Sequence, residues 1–87
     1  MNDVDIALLR TFITLANTRN FTQTARRVHR SQSAVSMQIA KLEEQLNCQL
    51  FDRNKRNVKL TLDGERLRNY ASQIVNLSEN LDRKSVV

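Results

Sequence analysis

Two groups of side chains have types and spacing suited to recognition chemistry. Gln32, Ser33 and Ser36 stand at the start of one helical repeat, and Arg53, Lys55, Arg56 and Lys59 put four cations into seven residues. A glutamine amide can pair with adenine through one donor and one acceptor, and a serine hydroxyl takes either role at a base edge. Clustered cations at a turn suit phosphate. Catalytic chemistry has no comparable set. There are no paired carboxylates in a plausible cleft, no nucleophile with a base and no glycine-rich phosphate loop. His29 is the only histidine and Cys48 the only cysteine, with no further ligand at metal spacing. The expectation is therefore no enzyme, no metal and no cofactor.

The polar group needs a helix to carry it. Val35, Ile39, Leu42 and Leu46 are spaced four, three and four, one face of a helix of about four turns that starts at Gln32. With that face inward, Ser33, Met37, Ala40, Lys41 and Glu44 point the other way, Ser36 lies at the flank and Gln32 projects from the end. Ser31 is the expected N-cap, and Asn47 follows the last apolar residue where a left-handed residue ends a helix. The first two turns of the outer face are slim enough to enter a major groove.

Upstream, Ile6, Leu9, Ile13 and Ala16, with Leu8, Phe12 and Leu15 beside them, predict a wide-faced central helix with Asp3 and Asp5 at its positive end. Residues 17–20 read as a loop. A short helix then runs to about Val28, with Thr22 as its expected N-cap. Downstream, Gln49–Arg53 and Val58–Thr61 flank a polar turn and predict a small β-hairpin. Thr61 caps a final helix whose Leu67, Tyr70, Ile74, Leu77 and Leu81 are spaced three, four, three and four. That heptad seam favours a partner helix over the chain's own core. Gly64 sits in its first turn, a costly place for glycine unless another backbone approaches closely.

Length and charge set outer bounds. Eighty-seven residues, 40% hydrophobic, with no proline and one glycine, suit one small folded unit and exclude collagen-like, disulfide-scaffold and disordered classes. No apolar run is long enough to span a membrane. The net charge of +5 lies within residues 1–61, where ten Lys or Arg face five Asp or Glu; residues 62–87 hold four of each. A basic part followed by a balanced one suggests that the first meets a polyanion and the second does something else. The fold class expected is mainly α, a winged helix-turn-helix of three helices plus a small β-hairpin wing over 1–61, then a long dimerisation or linker helix over 62–87.

The run from Phe21 to Ile39 (FTQTARRVHRSQSAVSMQI), then Leu42-Glu43, Leu50-Phe51-Asp52-Arg53 and Leu60-Thr61-Leu62-Asp63-Gly64, resembles the N-terminal DNA-binding region of LysR-type transcriptional regulators. The resemblance covers nearly the whole chain. It implies a bacterial, cytoplasmic, sequence-specific regulator that binds double-stranded DNA as a homodimer through the linker helix, with a tetramer as a further form of the full-length protein. It also implies a C-terminal effector-binding domain beyond this chain, through which alone a small molecule would act. Carried over, base contacts fall on Gln32, Ser33, Ala34 and Ser36; Met37, on the same outer face, is added to the base-reading set from its position on the helix. Thr22 and Arg53 are carried over as backbone and wing contacts; charge and helix capping add Arg30, Ser31, Lys41, Lys55 and Arg56 to them, and the heptad spacing assigns dimerisation to Leu67, Tyr70, Ile74, Leu77 and Leu81. Three departures stand out: Met37 where many members have Arg or Lys, Thr24 for the first of an alanine pair, and Asn47 for glycine. The alternative is a helical protein-interaction module that uses the 67–81 seam. It predicts little salt dependence and no sequence preference on DNA.

Overall fold

The computed structural model describes residues 5–52 and 58–85, with side chains to residue 77. Its elements run in the order α1 (Ile6–Thr18), α2 (Phe21–Arg27), α3 (Gln32–Leu46), β1 (Phe51–Asp52), β2 (Lys59–Leu60) and α4 (Leu62–Ser85). The two strands pair antiparallel, Phe51 with Leu60 and Asp52 with Lys59. The structure is thus mainly helical with a small two-stranded wing, the fold class expected.

α1 is central because it is apolar around more than half its girth. Leu8, Leu9, Phe12, Leu15 and Ala16 are buried, and the helix packs against α2, α3 and α4. Asp5 caps it by accepting the Ala7 N–H at 2.9 Å. α3 lays Val35, Ile39 and Leu42 fully into the same core, with Leu46 packed at its margin. The wing joins through Phe51, whose ring tilts against Phe12 with centroids 5.5 Å apart. Glu43 ties α3 to the wing: its carboxylate accepts the Leu50 N–H at 2.8 Å and the Phe51 N–H at 3.4 Å.

Turn chemistry matches the sequence at most joints. Ser31 Oγ accepts the Ala34 N–H at 3.1 Å, and Asn47 ends α3 in the left-handed region at φ 55°. Thr61 Oγ1 accepts the Gly64 N–H at 3.0 Å, and the Thr61 N–H donates to the Leu50 carbonyl at 3.0 Å. Gly64 is buried where that strand entry crosses α4. A methyl group there would press into the Leu50 carbonyl oxygen and stand 2.8 Å from Leu60 Cδ2. The glycine answers to that close approach.

Several expectations need correction. Residues 17–20 are not all loop: α1 continues through Thr18, and only Arg19 and Asn20 connect it to α2. The cap of α2 is Asn20, whose side chain accepts the Gln23 N–H at 2.9 Å, rather than Thr22, which lies inside the first turn. The reason is the tightness of the connection. Arg19 turns left-handed at φ 55°, and the Thr18 hydroxyl donates to the Asn20 carbonyl and also bonds the buried Thr24 hydroxyl at 2.7 Å. Among the described residues the strands are shorter than expected, with pairing at Phe51–Asp52 and Lys59–Leu60.

The last helix has two apolar rows. Ala71 and Val75 are buried and Leu67 is packed against the core, so the seam's first residue turns inward with them. Tyr70, Ile74 and Leu77 remain outward at 68%, 45% and 62% exposure. Leu81 lies on the same helix, its side chain outside the described residues.

Candidate nucleic-acid interface

The start of α3 and the start of α2 form one surface. Ser31 fixes where α3 begins, so Gln32 is its first residue and Ser33 its second. Both are exposed, while Ala34 and Ser36 are half-buried at the flanks. One turn on, Met37 is 68% exposed, the one large apolar side chain so presented on α3, and Ala40, Lys41 and Glu44 continue the face. α2 packs beside α3 and brings Thr22 to Gln32. The Gln32 Nε2–H donates to Thr22 Oγ1, a contact between residues ten apart in sequence. Of the residues expected to read bases or grip the backbone, the fold thus joins two directly. Spacing within either helix could not reveal that bond.

Gln38 shows why the outer face stops where it does. It follows Met37 but turns inward, its Oε1 accepting the Thr11 hydroxyl of α1 at 2.7 Å. The face left over is narrow and short-chained, with one flexible thioether at its centre. Such a surface can approach the floor of a major groove without steric conflict.

Arg30 and His29 occupy the α2–α3 turn, His29 left-handed at φ 58°. Arg30 is exposed and borders a groove of about 310 Å³ that also takes in Arg10, Arg27 and His29. Sequence reasoning singled out Arg30 but missed Arg10 as its neighbour; twenty residues separate them, and only the packing of α1 against the turn joins them. On the wing, Lys59 is exposed in β2, whereas Arg53, Lys55 and Arg56 lie outside the described residues. Near the α1–α4 crossing, Arg68 donates to Asn17 Oδ1 at 3.1 Å, which braces α4 against the end of α1.

Cys48 is half-buried beside the core, and burial first, then the carboxylates of Asp63 and Glu43, push its thiol pKa up. It stays protonated at neutral pH and packs as a small apolar group. Among the described residues no group of three His, Cys, Asp or Glu side chains is placed to hold a metal ion, and no helix is long and apolar enough to cross a membrane.

The same arrangement recurs in known proteins. Residues 6–65 match the family described as bacterial regulatory helix-turn-helix protein, lysR family. The HTH-type transcriptional regulator HdfR of Yersinia pestis is 42% identical over 84 residues, covering 97% of this chain. The chain spans 28% of the length of that relative. Among solved structures, the BenM DNA-binding domain in complex with catB site 1 DNA superimposes with a TM-score of 0.89 at 29% identity, covering 94% of this chain and 91% of that one. Vibrio fischeri DarR in complex with DNA gives a TM-score of 0.88 at 30% identity, covering 97% of this chain and 29% of that one. The matched segment begins with α1 and ends in the first turn of α4, so that α1, α2, α3 and both strands fall within it: the chain belongs to the LysR family of bacterial helix-turn-helix regulators.

Proposed function

We propose that this chain is a sequence-specific double-stranded DNA-binding module of a bacterial, cytoplasmic transcriptional regulator, working as a homodimer. Residues 1–61 grip the DNA and residues 62–87 form the pairing helix. The observation that carries the reading is the division of α3: Val35, Ile39 and Leu42 are fully buried, Ser33, Met37 and Lys41 are exposed on the opposite side, and Gln32 is exposed at the helix start. In this reading the start of α3 enters a major groove, with Gln32, Ser33, Ala34, Ser36 and Met37 at base edges. Thr22, Arg30, Ser31 and Lys41 meet the flanking phosphates, and Arg53, Lys55 and Arg56 bring the wing to the adjacent backbone. Basic groups supply affinity by releasing counterions, and the slim polar face supplies preference.

Binding to operator and to random duplex, each measured across a salt series, tests this. Gln32→Ala should lower the ratio of the two affinities, whereas Arg56→Ala should weaken both and flatten the salt slope by about one unit per lost phosphate contact. If Gln32→Ala scales both affinities equally, base readout by this residue is wrong.

The outward row Tyr70, Ile74 and Leu77 favours a second reading, a protein-interaction module with that row as its face. Retained preference for one duplex over mixed DNA, with steep salt dependence, decides against it as the main role. The same row then serves the homodimer.

A further inference from the structure

The hydrogen bond between Gln32 and Thr22 does more than hold a side chain in place. A hydroxyl has one proton to give and lone pairs to accept with, so what Thr22 can do toward Gln32 depends on where its proton goes. In the structure the Gln32 amide nitrogen is the donor and Thr22 Oγ1 the acceptor, which leaves the hydroxyl proton of this exposed threonine pointing elsewhere. Ser31 holds the base of Gln32 by capping α3, so the amide pivots about a fixed backbone position.

Resting on the assignment of Gln32 to base contact, we propose that Thr22 is a positioning residue that couples phosphate contact to adenine readout by fixing which way the Gln32 amide faces. A phosphate oxygen has no proton and can only accept. When it takes the Thr22 proton, Thr22 can only accept from Gln32, and the amide must turn its nitrogen toward α2. The second Nε2–H and the Oε1 atom then face the base edge as one donor and one acceptor. That is the complement of adenine N7 and the N6 amino group. Guanine offers acceptors at both places, and its O6 would meet Oε1, so the fixed amide rejects it. Without the phosphate the hydroxyl could serve as donor instead, the amide could flip and the preference would relax. Thr22 therefore makes the reading of a base conditional on correct seating on the backbone.

The test uses duplexes enriched by the wild-type chain from a random pool. At the base pair where Gln32→Ala loses its adenine preference, the adenine-over-guanine affinity ratio is compared among wild type, Thr22→Val, Thr22→Ser and Gln32→Ala. The wild-type ratio should be about tenfold or more, and near one in Gln32→Ala. Thr22→Val should cut it by about three- to tenfold. Thr22→Ser, which keeps the hydroxyl, should stay within about twofold of wild type, since the donor and acceptor pattern is unchanged.

If Thr22→Val weakens adenine and guanine sites equally, or if Thr22→Ser loses the ratio as fully as Thr22→Val, the coupling is overturned while Gln32 remains the reader. If Gln32→Ala keeps the wild-type ratio at every position, base reading by Gln32 is overturned and the coupling with it. Should Thr22→Val not fold, the wild-type chain is measured on duplexes in which each phosphate near that base pair is replaced in turn by a neutral methylphosphonate. One replacement should lower the adenine ratio selectively; a uniform loss at all of them refutes the proposal.

Discussion

α3 and α4 are built on the same plan toward the core and on opposite plans toward solvent. Each buries an aliphatic row against α1, Val35, Ile39 and Leu42 in one case and Leu67, Ala71 and Val75 in the other. Outward, α3 presents Ser33, Ala40 and Lys41 around a single Met37, with Gln32 exposed at its start, whereas α4 presents Tyr70, Ile74 and Leu77. The inward rows are interchangeable in kind and supply the fold. The outward rows are not: one is short and polar and the other apolar, and the function proposed above assigns them different partners, a hydrated, charged groove for the first and another apolar helix for the second.

Exchanging the character of the two outer faces should break this contrast most visibly. Ile74→Glu with Leu77→Glu is expected to weaken self-association by about 10²- to 10⁴-fold, since each buried aliphatic side chain contributes roughly 1.5–3 kcal/mol. Sedimentation equilibrium measures this, and the helical circular dichroism of the monomer should persist because Ala71 and Val75 are untouched. Ser33→Glu puts the same charge on the other helix and should leave association unchanged while abolishing operator binding. Loss of association in Ser33→Glu, or its survival in the double variant, would remove the division of labour.

A smaller effect is expected at the joint that sets the two helices relative to each other. Gly64→Ala gains about 1 kcal/mol of helix propensity but drives a methyl group into the Leu50 carbonyl and Leu60. A backbone oxygen cannot yield as a side-chain tip would, so the steric cost wins. The net loss should be about 1–3 kcal/mol in urea unfolding. Smaller again is Ser31→Ala. It removes the acceptor for the Ala34 N–H and should cost about 1 kcal/mol, with faster amide exchange confined to the first turn of α3 and none in α4.

What could be read from the sequence divides along the same line. The inward row of α3 is long, aliphatic and regularly spaced, and its ends carry Ser31 and Asn47, so the helix and its exposed face are legible in the sequence. Thr61 and Gly64 were legible for a similar reason: each has a strong local preference that the fold satisfies. In α4 the larger Leu67, Tyr70, Ile74, Leu77 and Leu81 drew attention to one row. The row that meets α1 contains Ala71 and Val75, whose smaller side chains allow close helix packing but signal weakly in a hydropathy pattern. Asn20 and Thr22 are both good caps, and only the left-handed turn at Arg19 selects between them. The groove at Arg10 and Arg30 and the bond from Gln32 to Thr22 are not legible, because each joins residues on different elements of the fold.

The finest test of the comparison concerns Met37, the one place where the outer face of α3 resembles that of α4. A methionine this exposed loses apolar area to water unless a partner covers it. On a DNA-facing helix the apolar feature within reach is the C5-methyl group of thymine, which marks A·T pairs in the major groove. A flexible thioether adapts to such a contact without demanding one geometry. Replacing thymines one at a time by deoxyuridine in a selected duplex removes only that methyl group. At one position this should weaken wild-type binding by about 0.5–1 kcal/mol, the scale of a single buried methyl, while Met37→Ala should be indifferent to it. Equal sensitivity of both proteins at every thymine would mean that Met37 faces no methyl group. Its exposure would then belong with the row on α4, as surface awaiting a protein rather than a base.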